Sequence, residues 1–194
     1  FPLHALEPPE PSANARVVLR GPQGEAQLSG PTVCEVIDAP RWDAIVAGLG
    51  PDPLHRPADG SGLMAERLGR RRIPVGRALL DQKVVAGLGN VYRAEILFLA
   101  GIRPTRRADR VRPAEVDRLW ALSVEQLTLG ERSGRIVTVD PADVGAPSRS
   151  ELRGDDRLYV YKRENRPCHR CGTGVVSRML ADRRIWWCPS CQPR

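Results

Sequence analysis

The chain has 194 residues, and its 41% of hydrophobic residues supports folded cores and excludes a largely disordered polypeptide. Its net charge of +7 favours an anionic partner such as nucleic acid. Because the sequence contains no apolar run long enough to cross a membrane and no signal-peptide pattern, we expect a soluble, cytoplasmic protein without membrane contact.

The first 39 residues carry signals for short strands. Residues 1 to about 15 are rich in proline and predict a loop. Residues 15–19 and 25–29 flank Gly21-Pro22-Gln23-Gly24, which is typical of a β-hairpin, and residues 32–37 predict a third strand. Three short strands make a poor domain alone, so we expect them to complete a sheet whose other strands precede Phe1.

Residues 40–135 carry helical patterns. Short helices are predicted at 41–47 and 63–68, and Pro113 is expected to open a longer helix. Pro74 is expected to start a helix of about three turns, which ends at the glycines that precede Asn90.

Gly87-Leu88-Gly89-Asn90 is the most informative stretch of this helical region. The glycines permit a close approach of two helices, and Asn90 is predicted to be the N-cap of the second helix. Unpaired N–H groups at a helix N-terminus attract phosphate. Asparagine caps are common, however, and a cap followed by an apolar face is far more often just a helix start, so this pattern alone is weak evidence for a phosphate site.

Two Cys-x-x-Cys pairs, Cys168 with Cys171 and Cys188 with Cys191, follow a polar segment at 136–156. This spacing predicts one structural Zn²⁺ held by four thiolates, with two strands at 172–179 and 184–187 forming a hairpin between the pairs. The metal would be structural because four protein ligands leave no open position. The fifth cysteine, Cys34, lies in an apolar stretch and is predicted to be buried.

Three stretches together resemble the endonuclease VIII and formamidopyrimidine-DNA glycosylase family. Leu79-Leu80-Asp81-Gln82 and Ala86-Gly87-Leu88-Gly89-Asn90-Val91-Tyr92-Arg93-Ala94-Glu95 resemble its helix-two-turn-helix. The two cysteine pairs with Val160-Tyr161 resemble its zinc finger, and residues 49–54 resemble the segment before its helices. The motifs occur in the family's order from about residue 49 onward.

The resemblance implies an α+β multidomain fold. A partial N-terminal β-sandwich would occupy residues 1–39, and a helix-two-turn-helix DNA-binding domain residues 40–135. Residues 136–156 would be a linker, and residues 157–194 a four-cysteine zinc-ribbon β-hairpin. We expect a monomer.

The resemblance also implies which residues touch DNA. The asparagine that corresponds to Asn90 contacts phosphate beside the lesion, and the arginine that corresponds to Arg183 binds phosphate and takes part in the final elimination step. Tyr161 occupies a position close to the DNA backbone. The expected partner is double-stranded DNA with oxidised or abasic lesions, and the cell would be bacterial, with the protein at the nucleoid through its DNA.

The implied activity is a base-excision-repair DNA glycosylase with AP-lyase activity. It would excise oxidised bases, pyrimidines in preference to 8-oxoguanine, and cleave the strand by β,δ-elimination through a Schiff base on an N-terminal proline. The chain departs from this pattern because Pro2 follows Phe1 and Pro9-Glu10 is internal, so neither proline nitrogen is an amine. We therefore expect the chain as written to be inactive as a lyase.

Two other interpretations share some of these features. A non-catalytic zinc-ribbon DNA-binding or damage-binding protein would have the same charge and cysteines, but it would not need Gly87-Leu88-Gly89-Asn90 ahead of the ribbon. A redox zinc switch would need labile thiolates, whereas Trp186 and Trp187 beside Cys188 favour a packed module.

Overall fold

The computed structural model describes residues 10–31 and 33–193, in two compact units that divide at Val46 and Ala47. In the first unit, β1 (Ala15–Gly21) and β2 (Gly24–Ser29) form an antiparallel hairpin, which confirms the predicted one. Gly21 pairs with Gly24, so Pro22 and Gln23 form a two-residue turn. Helix α1 (Ala39–Ala47) confirms the helix predicted at 41–47.

The third predicted strand is wrong over its described part. Residues 33–37 have no ladder partner among the described residues, and Thr32 lies outside them, as do residues 1–9 of the predicted proline-rich loop. Gly30, which directly follows β2, has a φ of +61°, so the extended strand conformation ends there. The Cys34 side chain is exposed, so the prediction that it is buried is wrong.

The second unit is built on four helices, α2 (Gly60–Gly69), α3 (Val75–Ala78), α4 (Asn90–Leu99) and α5 (Pro113–Ser133). A 3-10 turn at Ala108–Arg110 precedes α5. Apolar side chains from these helices and from the α3–α4 connection form one core, which includes Met64, Leu68, Val75, Leu79, Val85, Leu88, Ile96, Leu97, Leu119 and Leu127. This core fixes α4 rigidly, and α4 carries the site.

The helix predicted from Pro74 to Gly87 is wrong beyond its first turn, because α3 comprises only Val75–Ala78. The Gln82 carbonyl accepts a hydrogen bond from the Gly50 N–H at 2.7 Å, and the Gln82 side chain accepts one from the Gly87 N–H at 2.9 Å. Backbone groups here bond to another segment and to a side chain, so they cannot continue the helical ladder.

The C-terminal part contains 3-10 turns at Pro141–Val144 and Gly154–Arg157, followed by β3 (Val176–Leu180) and β4 (Arg183–Trp187). The two strands are antiparallel and confirm the predicted hairpin, although β3 starts later than expected. A second core joins this hairpin to α4 and to the preceding segment, through residues that include Phe98, Val139, Leu152, Tyr159, Ile185, Trp186 and Trp187.

The α+β fold with a helical region and a four-cysteine hairpin is confirmed. The division into four domains at residues 39, 135 and 156 stays a prediction. None of the described helices is long and apolar enough to span a membrane.

Candidate metal centre and nucleic-acid interface

The four predicted ligand cysteines converge on one point. The sulfur atoms of Cys168, Cys171, Cys188 and Cys191 all lie within 4.8 Å of one another. Three of the separations are 3.8 Å for Cys168 to Cys191 and 3.5 Å for Cys171 to both Cys188 and Cys191. A tetrahedral Zn²⁺ with bonds of about 2.3 Å to sulfur needs neighbouring sulfurs about 3.8 Å apart. The cluster therefore suits one structural zinc.

Tight turns aim the sulfurs inward. The Cys168 carbonyl accepts a hydrogen bond from the N–H of Gly172, which has a φ of +73°, at 2.9 Å, and the Cys188 sulfur accepts one from the Cys191 N–H at 3.5 Å. Hydrogen bonds from Thr173 lower the pKa of the Cys171 thiol to about 6, so this sulfur is ready to bind a metal as thiolate. Burial raises the pKa of Cys188, which a metal cation would have to overcome.

Gln192 attaches this centre to the helical core. Its buried side chain accepts a hydrogen bond from the Cys188 N–H at 3.1 Å and donates to the Ile102 carbonyl at 2.8 Å. The ligand loop and the end of α4 are thus connected through one amide.

A cleft of about 660 Å³ lies where the α3–α4 connection meets the tip of the β3–β4 hairpin. Asn90 and Arg183, predicted from motifs far apart in the chain, both line it. Its charged side chains are three arginines and two aspartates, so the lining carries a net positive charge. These charged side chains are Arg71, Arg77, Arg183, Asp81 and Asp182.

Asn90 is the first residue of α4, and the prediction that it is the N-cap is wrong by one position. Gly89 takes the cap position with extended backbone and has no side chain to satisfy the first N–H groups. The Asn90 side chain is therefore free for other partners, and its Nδ2 donates to the Arg184 carbonyl at 3.3 Å. Free N–H groups at a helix N-terminus beside a basic cleft suit an anion.

Arg93, one turn further along α4, is fully buried behind Asn90. Its Nη1 donates to the Gly76 carbonyl at 2.8 Å, and its Nη2 donates to the Arg184 carbonyl at 3.0 Å and to Asn90 Oδ1. Burial is the main cause that lowers the pKa of Arg93 to about 10, and the positive charge of nearby Arg183 contributes to this decrease. The guanidinium remains charged at neutral pH.

Arg183 begins β4 at the hairpin tip, and its side chain is exposed. Within residues 10–31 and 33–193 it makes no side-chain hydrogen bond or ion pair, so the guanidinium is available to a ligand. Leu180 pairs with Arg183, so Ala181 and Asp182 form a two-residue turn in which Ala181 takes a φ of +57°. Arginine can bind phosphate with two parallel hydrogen bonds.

Gly76 allows the hairpin tip to approach α3. A Cβ at this position would lie 3.0 Å from Pro104 Cβ and 3.2 Å from Leu180 Cδ1. The tip that carries Arg183 is thus seated against backbone.

Tyr161, the third predicted DNA contact, does not line this cleft. Its ring packs edge-on against Trp186 with centroids 4.8 Å apart, and its N–H donates to Glu95 at 2.8 Å. The fully buried Glu95 carboxylate also accepts from the N–H groups of Tyr159 at 2.7 Å and Val160 at 2.9 Å and from the Thr138 hydroxyl. Glu95 of α4 therefore positions the backbone of Tyr161, whereas Arg93 of the same helix contacts Asn90.

Arg93 and Glu95 were not predicted from the sequence to be parts of the site. Both lie on a ten-residue helix in which residues 93–98 are all buried. The apolar positions around them were the available signal, since a charged residue inside an all-round apolar helix must find buried partners.

This arrangement defines a class of protein, the helix-two-turn-helix proteins with a zinc ribbon beside the second helix. A family model described as the formamidopyrimidine-DNA glycosylase H2TH domain matches residues 49–139. The chain is 41% identical over 185 residues to "Endonuclease 8 1" of Mycobacterium tuberculosis, covering 95% of this chain and 68% of that protein. The chain therefore belongs to the formamidopyrimidine-DNA glycosylase and endonuclease VIII family.

Other relatives agree with this assignment. A formamidopyrimidine-DNA glycosylase of Synechococcus is 35% identical over 78% of this chain and 53% of its own length. The crystal structure of the MutM (Fpg) protein of Thermus thermophilus matches with a TM-score of 0.70 and 30% identity, over 94% of this chain and 70% of that one. The Lactococcus lactis Fpg in complex with DNA containing an abasic site matches with a TM-score of 0.66 and 26% identity, over 81% and 57%.

Proposed function

We propose that the protein is a base-excision-repair DNA glycosylase with AP-lyase activity, whose cleft between Asn90 and Arg183 binds a phosphate of the lesion strand. The observation that carries this proposal is the shared lining of one basic cleft by these two side chains. The complexes of the Lactococcus lactis relative with abasic-site and Fapy-dG DNA support it.

The phosphate would be held from two sides. On one side the Asn90 amide and the free N–H groups of the α4 N-terminus donate hydrogen bonds, and on the other the Arg183 guanidinium does so. The glycosylase must extrude the target nucleotide from the duplex, which costs a few kcal/mol of unstacking. Firm phosphate contacts beside the extruded nucleotide offset part of that cost.

The zinc would take no chemical part. Bound to four thiolates it supplies only a fixed point, from which the β3–β4 hairpin reaches the cleft with Arg183 at its tip. Tyr161 is proposed to contact the DNA backbone outside the cleft.

The lyase step is proposed to use the secondary amine of an N-terminal proline, which would attack the sugar C1′ and form a Schiff base. A terminal amine has a pKa near 8, so an appreciable fraction is neutral at physiological pH. The described residues do not supply this amine, so the step is proposed for the protein that carries the family's proline. Arg183, bound to the phosphate, is proposed to assist the final step of β,δ-elimination.

The proposed substrates are oxidised bases in double-stranded DNA, with pyrimidines preferred to 8-oxoguanine. Borohydride trapping by the full-length protein tests this proposal on duplexes that carry an abasic site, an oxidised pyrimidine or 8-oxoguanine. We expect a covalent protein–DNA band on all three, strongest with the first two. No band on any duplex, with zinc present and DNA bound, would contradict the lyase and favour a damage-binding protein.

The phosphate contact is tested separately by Arg183→Gln. We expect this variant to lose about tenfold in affinity for an abasic-analogue duplex and to reduce the slope of log affinity against log salt by about one. Arg132→Gln, an exposed arginine at the end of α5, removes the same charge away from the cleft lining. Equal losses in both variants would contradict a specific role for Arg183.

A further inference from the structure

We propose that Arg93 is a positioning residue that orients the Asn90 amide for phosphate and holds the hairpin tip beside it. This inference rests on the proposed function, because it assigns a task within the same phosphate site.

The two ends of the Asn90 amide differ in hydrogen bonding, because the oxygen accepts and the NH₂ group donates. An amide beside a phosphate must present its NH₂ group, because its oxygen would meet the phosphate oxygens with like partial charge. Arg93 Nη2 donates to Asn90 Oδ1, and a guanidinium can only donate. Because the amide oxygen is bound to this buried cation, the amide cannot flip its two ends. The Nδ2 group therefore stays on the opposite side, where it can donate hydrogen bonds.

The same guanidinium also sets the position of β4. The Arg184 carbonyl accepts from Arg93 Nη2 at 3.0 Å and from Asn90 Nδ2 at 3.3 Å. Arg184 follows Arg183 directly in the chain, so this carbonyl fixes the backbone from which Arg183 extends. The third bond, to the Gly76 carbonyl at 2.8 Å, ties the group to α3.

Arg93 thus joins three elements that each contribute to the cleft. It is fully buried, its Nε has no partner among the described residues, and its charge is desolvated. Such a residue is costly for stability alone, since apolar residues often replace buried charges without loss. The cost is understandable where the charge also adds to the attraction for an anion a few ångströms away.

A second buried arginine provides a matched control. Arg163 is 4% exposed, its Nε is also unpaired, and it donates to the carbonyls of Tyr159 at 2.7 Å and Pro167 at 2.9 Å. It makes comparable bonds but none to Asn90. A purely structural role would make Arg93 and Arg163 behave alike.

The experiment is a double-mutant cycle on binding to a duplex with a tetrahydrofuran abasic analogue. We expect Asn90→Ala to weaken binding about tenfold and Arg93→Met at least as much, because Arg93 also holds the hairpin tip. The double variant should be weaker than Arg93→Met by no more than about twofold, because the Asn90 contact is already lost there. Arg163→Met combined with Asn90→Ala is expected to give the product of the single effects. Multiplicative losses for Arg93 and Asn90 would overturn the proposal.

The zinc content and melting temperature of each variant show whether it is folded. All affinities are measured at a temperature below the melting transition of every variant. Arg93→Lys keeps the charge but has a single donor nitrogen in place of the forked guanidinium, and we expect it to recover part of the affinity lost in Arg93→Met. If Arg93→Met does not fold, Arg93→Lys takes its place in the double-mutant cycle with Asn90→Ala. No recovery in a folded Arg93→Lys, together with multiplicative losses, would overturn the proposal.

A readout without DNA separates this inference from the proposed function. In the folded chain we expect the two side-chain amide protons of Asn90 to give NMR signals displaced from free-amide positions. These signals should move toward those positions in Arg93→Met and Arg93→Lys, more in the former, and stay in place in Arg163→Met. If the unsubstituted protein fails to bind the duplex, the proposed function fails, and unchanged Asn90 signals in both Arg93 variants would independently overturn the role of Arg93.

Discussion

The Glu95 carboxylate accepts a hydrogen bond from the backbone N–H of Tyr161 at 2.8 Å, across 66 residues of chain. Two further N–H groups and a threonine hydroxyl bind the same buried carboxylate. Like Arg93, Glu95 lies on α4, so this helix organises the cleft lined by Asn90 and Arg183 on one side and the segment leading into the four-cysteine cluster on the other.

Glu95→Gln is expected to destabilise the protein strongly. The glutamine NH₂ would face N–H donors, and each lost bond to a charged acceptor contributes about 1.5–3 kcal/mol. We expect the free energy of unfolding in urea to fall by about 3 kcal/mol or more. The control Glu125→Gln, at an exposed position of α5, should change it by less than about 0.5 kcal/mol. Similar small changes in both variants would contradict the bonding described for Glu95.

Replacing a ligand cysteine should remove the metal. We expect Cys168→Ser to lose the bound zinc, because three thiolates and a hydroxyl bind it far more weakly, and a two-stranded hairpin is marginal alone. Metal analysis of the purified protein should give one zinc per chain in the unsubstituted protein and in Cys34→Ser, which alters the exposed fifth cysteine. The near-ultraviolet signal of Trp186 and Trp187 should also decrease on chelation. Full zinc content in Cys168→Ser would contradict the assigned ligand set.

Stability in acid should depend on Glu115, the third residue of α5. Burial raises its pKa, but hydrogen bonds from Arg112 and Arg106 outweigh burial and bring the pKa to about 2. Because the unfolded glutamate takes up its proton near pH 4.5, this stabilisation is present above that pH and is lost as the pH falls toward 2. Glu115→Gln should therefore flatten the pH dependence of unfolding between about pH 4.5 and 2.

The measurement for Glu115 is urea unfolding at several pH values. Glu131→Gln, which removes an exposed carboxylate near the end of the same helix, is the matched control for the loss of one negative charge. An acid dependence that persists fully in Glu115→Gln would show that other carboxylates account for it.

The hairpin tip should be stabilised by Ala181→Gly. Ala181 has a φ of +57°, a conformation that costs an alanine about 1 kcal/mol and a glycine almost nothing. We expect thermal or urea unfolding to show a gain of roughly this size. The reverse control is Ala121→Gly, exposed within α5, where glycine should cost about 1 kcal/mol. A loss of stability in both variants would contradict the strained turn.

Features with a local chemical cause were predictable from the sequence. The cysteine spacing was enough to predict the metal cluster, because each Cys-x-x-Cys turn places its own two sulfurs. The glycines before Asn90 indicated the helix start to within one residue. The glycine pattern singled out Asn90, whereas Arg183 was identified only through the family resemblance. The placement of both beside one cleft depends on packing between distant segments.

Other features depend on contacts that no local pattern records. The predicted helix cannot continue past Gln82, because the Gln82 carbonyl accepts a hydrogen bond from the N–H of Gly50, more than 30 residues earlier in the chain. Arg93 and Glu95 are charged residues whose buried partners come from β4 and from the segment before the cysteines. The hydrogen bonds of Arg93 and Glu95 could therefore be identified only from the three-dimensional structure.

Gly76 couples three positions sterically. A Cβ at position 76 would lie 3.0 Å from Pro104 Cβ and 3.2 Å from Leu180 Cδ1, so a side chain there requires these neighbours to move by a few tenths of an ångström. We therefore expect the residue at position 76 to co-vary with those at positions 104 and 180 among family members. A redesign of the hairpin tip should treat these three positions together.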